Sequence, residues 1–168
     1  MKPPRLFTER LVLRGYTESD RAAFVALNTD PVVRRHMDGA HTTESAGRLF
    51  DRVQTRASKS HGISWAIALR PDGRYAGHVF LSRSTDQQPF EIGVVLRREL
   101  WGRGYGPEAA AAVIQFAFNV WHEKEVVATV DPDHAASVRF LEKTGMTPDR
   151  EDADEQGKFL VYSIERAC

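Results

Sequence analysis

The segment Glu91 to Phe118, EIGVVLRRELWGRGYGPEAAAAVIQFAF, constrains this chain most, because strand, glycine-rich loop and helix follow one another without interruption. Glycines at 102, 104 and 106 remove Cβ bulk from the loop. Consecutive N–H groups can then turn toward one ligand, and the following helix adds unpaired donors and the positive end of its dipole. The order reads as an anion cradle that fits a pyrophosphate, although Gly-x-Gly runs also occur in ordinary turns. Pro107 suits the first helical position, where its missing N–H costs nothing, and Glu108 suits the first turn. Val113, Phe116, Ala117 and Val120 repeat at helical spacing, and Ile114, Phe118 and Trp121 form a second apolar stripe. Such a helix is expected to be buried on both flanks.

A dinucleotide-binding fold competes, since Gly104 to Ala109 also fits GxGxxA with Glu123 or Glu125 about twenty residues on. Placement argues against it. The dinucleotide fingerprint follows its strand directly and opens a series of βαβ units, whereas RRELW intervenes here and little chain remains.

A chain of 168 residues with 42% hydrophobic content suits one domain, residues 1–168, with a sizeable core. Basic and acidic residues both number 23, so no global field recruits nucleic acid or an anionic membrane. The single cysteine, Cys168, excludes an internal disulfide framework and a multi-cysteine zinc site, and a cytoplasmic location is expected. The start, MKPPRLFTER, carries no apolar signal core, and no run approaches the roughly 18 residues of a membrane span. No GxSxG, HExxH or CxxC occurs, and the six histidines show no ligand spacing, so no metal is expected.

Along the chain, RLVLRGY (residues 10–16) reads as a strand, and Thr17 to Asp20 supply caps for a first helix through Leu27. Asp30-Pro31 is expected to start a short second helix through Arg35, and Thr42 or Thr43 a third toward Lys59. WAIAL, then Pro71-Asp72-Gly73, then YAGHVFLS form a β-hairpin, with Phe90–Leu96 pairing beside it. EVVATV (125–130), a helix from about Asp133 to Thr144 stopped by Gly145, and two closing strands complete the order βααα-βββ-α-β-α-ββ. The acidic run Asp149 to Glu155 is expected in a solvated hairpin loop, and its functional reading is a rim that draws in a cationic acceptor.

These residues resemble the GNAT N-acetyltransferase superfamily, in particular its RimJ/RimL-like branch of ribosomal-protein N-terminal acetyltransferases. The resemblance runs from TERLVLRGYTESD through EIGVVL and ELWGRGYGPEA to DPDHAASVRFLEKTGM and on to the strand near Ile164. It implies an α+β, layered acyl-CoA N-acyltransferase fold. In that fold helices flank a mixed, mostly antiparallel sheet, and the central strands 90–96 and 125–130 splay apart around acetyl-CoA. Backbone groups of Val94, Val95 and Leu96 would pair with the pantetheine arm. N–H groups of Gly102, Arg103, Gly104, Tyr105 and Gly106 would hold the pyrophosphate, and family habit implies a homodimer.

Departures from the family pattern shape the expected chemistry. The loop opens with Trp101 where the family writes Arg or Gln, which leaves Arg103 as the local charge. His134 stands where a pantetheine-contacting Asn is common. Leu141 stands where many members carry a general-acid tyrosine, and Ser137 is the substitute that the branch implies for protonating the departing thiolate.

Direct transfer needs a neutral amine, a donor for the developing oxyanion and protonation of the thiolate. The superfamily uses a strand N–H for the oxyanion, which falls to Val95 or a neighbour. Period-two alternation puts Glu91 on one face with Gly93 and Val95, which makes it the candidate base, acting through water. Asp38 and Glu44 rank behind it, and Arg34, Arg35 and His36 lie near the acceptor end. A lysine of pKa about 10.4 costs roughly 4–5 kcal/mol to neutralise at pH 7, against about 1 for an α-amine near 7.7–8. A site without a powerful base therefore favours a protein N-terminal α-amine or a small amine of lowered pKa. The second function class is a non-catalytic acyl-CoA sensor or interaction module on the same fold.

Overall fold

The structure, a computed structural model, describes residues 2–55, 57–58 and 62–168. Its elements in chain order are β1 (Leu6–Phe7), β2 (Leu11–Arg14), a 3-10 turn (Glu18–Asp20), α1 (Arg21–Thr29), α2 (Thr43–Thr55), β3 (Ala57–Ser58), β4 (Gly62–Leu69) and β5 (Tyr75–Ser82). They continue with β6 (Phe90–Leu96), a 3-10 turn (Arg98–Leu100), α3 (Tyr105–Asn119), β7 (Glu125–Val130), α4 (Ala135–Lys143), β8 (Thr147–Asp154) and β9 (Gly157–Glu165). Among the described residues the strands form one sheet in the order β1-β2-β4-β5-β6-β7-β9-β8, with β3 paired to β4. Every neighbouring pair is antiparallel except β6 and β7. The mixed, mostly antiparallel α+β architecture is the one expected.

The parallel pair is short. Phe90 pairs with Val126 and Glu91 with Val127, after which β6 stays registered on β5 as far as Leu96 opposite Gly77. β7 stays registered on β9 as far as Val130 opposite Leu160. Each strand keeps its outer partner while the two diverge, so Gly93–Leu96 and Ala128–Val130 border an open split.

Strand alternation sends side chains of β6 to opposite faces. Phe90 and Ile92 join a core that includes Trp65, Val79, Leu81, Val113, Ala117 and Phe118, with Val94 and Leu96 packed against it. α3 and α4 cover this face. Val95 points the other way, into a smaller cluster with Tyr16, Phe24, Leu27, Phe50 and Tyr75, under α1 and α2. Phe80 sits opposite Gly93 in the register, and a Cβ at Gly93 would collide with its ring.

Several expectations change. Residues 31–38 form consecutive turns rather than a second helix. The Asp30 carboxylate accepts from Val32 N–H at 2.9 Å, and Arg34 donates to the Met37 and Gly39 carbonyls. With Asp38 at φ 63°, these side-chain bonds capture the backbone that a helix needs. α2 is described to Thr55, and Lys59 lies outside the described residues. α3 starts at Tyr105, making Pro107 its third residue, because left-handed Gly104 (φ 81°) already serves as N-cap; the proline still falls among the first four N–H positions, which have no intrahelical partner. Val120 lies past the helix and is exposed. The acidic run Asp149–Asp154 belongs to β8, whose residues are all exposed. Pairing with β9, Asp152 to Phe159 and Ala153 to Lys158, overrides its weak strand propensity. The hairpin at Pro71–Gly73 and the left-handed Gly145 (φ 89°) after α4 are as expected.

Candidate active site

A cavity of about 950 Å³ occupies the split between β6 and β7. Its lining includes Glu91, Val94, Val95 and Leu96 from β6, Gly102, Gly104, Tyr105 and Gly106 from the loop and α3, and His134 and Ser137 from α4 and its N-cap. One fold feature thus gathers residues that the sequence scatters over nearly fifty positions.

The glycine loop is shaped by backbone geometry and by a clamp from the other end of the chain. Gly102 (φ 73°) and Gly104 (φ 81°) adopt the left-handed conformation that side-chain-bearing residues avoid. Arg10 donates from Nη1 to the Arg103 carbonyl at 2.9 Å and lies over the Tyr105 ring at 4.3 Å. Its Nε bonds Glu108 at 2.7 Å. Glu108 also accepts from Arg10 N–H and the Thr8 hydroxyl. Burial alone would raise the Glu108 carboxyl, but these donors outweigh it and hold its pKa below the usual range. Arg103 is not among the lining residues; its carbonyl, held by Arg10, is its structural contribution. Trp101, half exposed, turns its indole N–H onto the Leu96 carbonyl at 2.9 Å, using one acceptor at the end of the open strand.

Glu91 extends on the α1–α2 face, as alternation requires, and accepts from the Thr129 hydroxyl at 2.6 Å. That bond bridges β6 to β7 across the mouth of the split. Asp38 lines the same cavity, whereas Glu44 is exposed in the first turn of α2, outside it.

Ser137 occupies the first turn of α4, and its Oγ shares a hydrogen bond with His134 Nδ1 at 2.8 Å. The His134 ring stacks on His36 with centroids 4.0 Å apart and planes 19° from parallel. His36 Nδ1 in turn meets the Asp131 carboxylate at 3.2 Å. Burial and the neighbouring His36 push the His134 pKa down, against a smaller opposing pull from Asp131. Asp131 itself is held low by the Asp133 N–H and His36.

Sequence reasoning missed Arg10, Thr129 and Asp131, and saw His36 only as one of three cationic residues near the acceptor end. No local pattern marks Arg10, because its partners lie more than ninety positions away.

The arrangement can hold an extended anionic ligand. Left-handed loop glycines and the α3 N-terminus offer N–H donors, open strand backbone borders the split, and Arg139 and Lys143 of α4 line the same cavity. These groups fit the pyrophosphate and pantetheine parts of coenzyme A.

Residues 10–147 match the model of the acetyltransferase (GNAT) domain. The protein YkkB of Bacillus subtilis (strain 168) is 32% identical over 146 residues, covering 84% of each chain. The uncharacterized N-acetyltransferase YoaA of the same organism is 31% identical over 147 residues, covering 84% of this chain and 82% of that one. Among solved structures, an acetyltransferase from Agrobacterium tumefaciens str. C58 superimposes with a TM-score of 0.85 at 25% identity, covering 99% of this chain and 96% of that one.

Proposed function

The chain belongs to the GNAT acetyltransferase family and is an acetyl-CoA-dependent acetyltransferase, and from that premise we propose that it passes the acetyl group directly to a protein N-terminal α-amine or a small-molecule amine. The observation that carries this reading is that Glu91 and Ser137 line one cavity at the split, reaching it from opposite faces of the sheet. Acceptor and cofactor therefore have separate approaches that meet where β6 and β7 part.

When bound, acetyl-CoA supplies an acetyl group activated as a thioester. The loop glycines and the α3 N-terminus hold its pyrophosphate, and Val94 to Leu96 offer backbone partners to the pantetheine arm. Val95 pairs with His78 and turns its N–H toward β5, so an N–H on the β7 side of this open stretch, that of Val94 or Leu96, faces the developing oxyanion. Glu91, already accepting one hydroxyl hydrogen bond, takes the amine proton through a water. Ser137 gives a proton to the departing sulfur. None of these groups is a strong base, which supports an acceptor that is partly neutral at pH 7.

The proposal extends to the RimJ/RimL-like branch, which Ser137 and Trp101 support, to one domain spanning residues 1–168 and to a cytoplasmic setting. No helix among the described residues is long and apolar enough to cross a membrane.

Thiol release from acetyl-CoA against N-terminal peptides, polyamines, amino acids and aminoglycosides tests the acceptor. One class should turn over, with Ser137→Ala lowering kcat by about 100-fold and Glu91→Gln by about tenfold. Tight coenzyme A binding with no effect of either substitution on turnover would reject this assignment of roles.

A further inference from the structure

The turns at residues 31–38 bring to the cavity a cation, Arg34, that no carboxylate among the described residues pairs. A guanidinium carries five N–H donors. Nε of Arg34 donates to the Gly39 carbonyl and Nη2 to the Met37 carbonyl, which leaves both N–H groups of Nη1 and one of Nη2 without an acceptor among the described residues. Arg98, by contrast, is paired with Asp30 at 2.9 Å. Burial pushes the Arg34 pKa down, and Asp38 opposes this only in part. Burial first, and the Arg34 charge after it, lower the pKa values of His41 and His78. Two of the groups that feel this charge are therefore imidazoles held neutral, not acids.

The carboxylates of the cavity are better provided for. Glu91 accepts from the Thr129 hydroxyl at 2.6 Å, Asp131 meets His36 and the Asp133 N–H, and Asp154 accepts the Gln156 N–H at 2.9 Å. An unmatched cation that is partly withdrawn from water, in the wall of a ligand cavity, has a desolvation cost that a bound anion offsets.

We propose that Arg34 sets acceptor specificity, and that the acceptor is an amine with a carboxylate a few bonds from its nitrogen. The proposal rests on acetyl transfer to an amine at this same cavity. Two sources share the chemistry: a free amino acid, and a peptide whose first residue is acidic. Opposite charges in one cavity suit such a molecule. Glu91 takes the amine proton through water, and the planar guanidinium holds the carboxylate through its free N–H groups. Val33, Met37 and Phe80 line the same cavity, and apolar neighbours strengthen a charge pair by keeping water from it. A polyamine or an aminoglycoside offers Arg34 no anion and brings further cations toward it. The transfer itself is unaltered: the amine nitrogen bonds the acetyl carbon, the carbon–sulfur bond breaks with its electron pair on sulfur, and the carboxylate takes no part.

The experiment compares each acid with the amide of nearly the same shape. With acetyl-CoA and the full-length protein, kcat/KM is measured for amino acids against their α-amides, for peptides beginning with Asp or Glu against those beginning with Asn or Gln, and for a diamine. In one of the two sets the acid should exceed its amide by about thirtyfold, as a hydrogen-bonded charge pair implies. The set that shows the ratio identifies the source. Arg34→Gln should bring the ratio to about threefold or less, and Arg34→Lys should keep part of it. Comparing ratios between wild type and variant cancels differences in amine pKa, and coenzyme A affinity reports that each variant is folded. A wild-type ratio near one in both sets, or a diamine used better than either acid, overturns the proposal without any variant while the acetyltransferase reading stands. A thirtyfold ratio that survives in Arg34→Gln overturns the role of Arg34. Binding of acetyl-CoA with no transfer to any amine overturns the transfer reading and this proposal with it.

Discussion

The two faces of the sheet are built by different means. The face under α3 and α4 is dry: its core is Trp65, Val79, Leu81, Phe90, Ile92 and the alanine-, valine- and phenylalanine-rich flank of α3, and what it offers a ligand is largely backbone. Under α1 and α2 the core is laced with polar side chains. Among the described residues, Asp20, Asn28, Ser64 and His78 are the buried polar ones, and they lie on this side. Arg14 grips Asp20 at 2.7 and 3.0 Å, Tyr16 meets Ser64 at 2.6 Å, Tyr75 meets His78 at 3.0 Å, and Asn28 donates to the Phe24 carbonyl at 2.9 Å. A backbone-built face tolerates side-chain change but not altered φ, whereas a side-chain-built face depends on each partner and on pH.

The largest expected effect falls on the polar face. Asp20→Ala leaves the partly buried Arg14 guanidinium without its carboxylate and should cost about 2 kcal/mol in urea denaturation, while coenzyme A affinity of the folded fraction stays near wild type. A loss below about 1 kcal/mol would erase the contrast.

Acidification sharpens it next. Burial, with a smaller push from Arg34, takes the His78 pKa down to about 3. Unfolding returns it to about 6.5, so the unfolded state binds the extra proton between those values and stability falls as pH drops below about 6.5. Wild type should lose about 2 kcal/mol between pH 7 and pH 5 from this residue, and His78→Phe should flatten that slope although it is less stable at pH 7. Asp20 acts in a lower window. Its desolvation is outweighed by Arg14 and Thr17, its folded pKa is lowered, and its stabilising contribution fades only as pH falls below about 4. Equal slopes in wild type and His78→Phe would remove the histidine from the account.

On the backbone face, Gly104→Val places a branched side chain at φ 81° and should raise KM for acetyl-CoA about tenfold through strain at the α3 N-cap, with little change in acid stability. Arg10→Ala, which removes the clamp on the Arg103 carbonyl, should raise the same KM only a few-fold because that arginine is partly exposed. An Arg10 effect larger than that of Gly104 would mean that side chains build this face as well.

This difference also explains what the sequence disclosed. The loop from Trp101 to Gly106 was legible because positive-φ glycines and a helix start are written in adjacent positions. Glu91 was legible through period-two alternation, which assigns a face without knowing the neighbours. The turns at 31–38 were misread because Asp30-Pro31 is a good helix opening, and only the folded chain shows Arg34 bonding the Met37 and Gly39 carbonyls instead. The strand character of Asp149–Asp154 comes entirely from its pairing with β9.

By itself, then, the sequence determined the α+β class, the glycine loop before α3, the alternation of β6 and the presence of Ser137 and His134 one helical turn apart, because each depends on groups within a few bonds or one turn. Tertiary structure alone decided the split between β6 and β7, the Arg10 clamp, the Thr129–Glu91 bridge and the His36–His134 stack. Those join segments as many as 98 positions apart, as Arg10 and Glu108 are, and such contacts form only when the sheet fixes the distance between them.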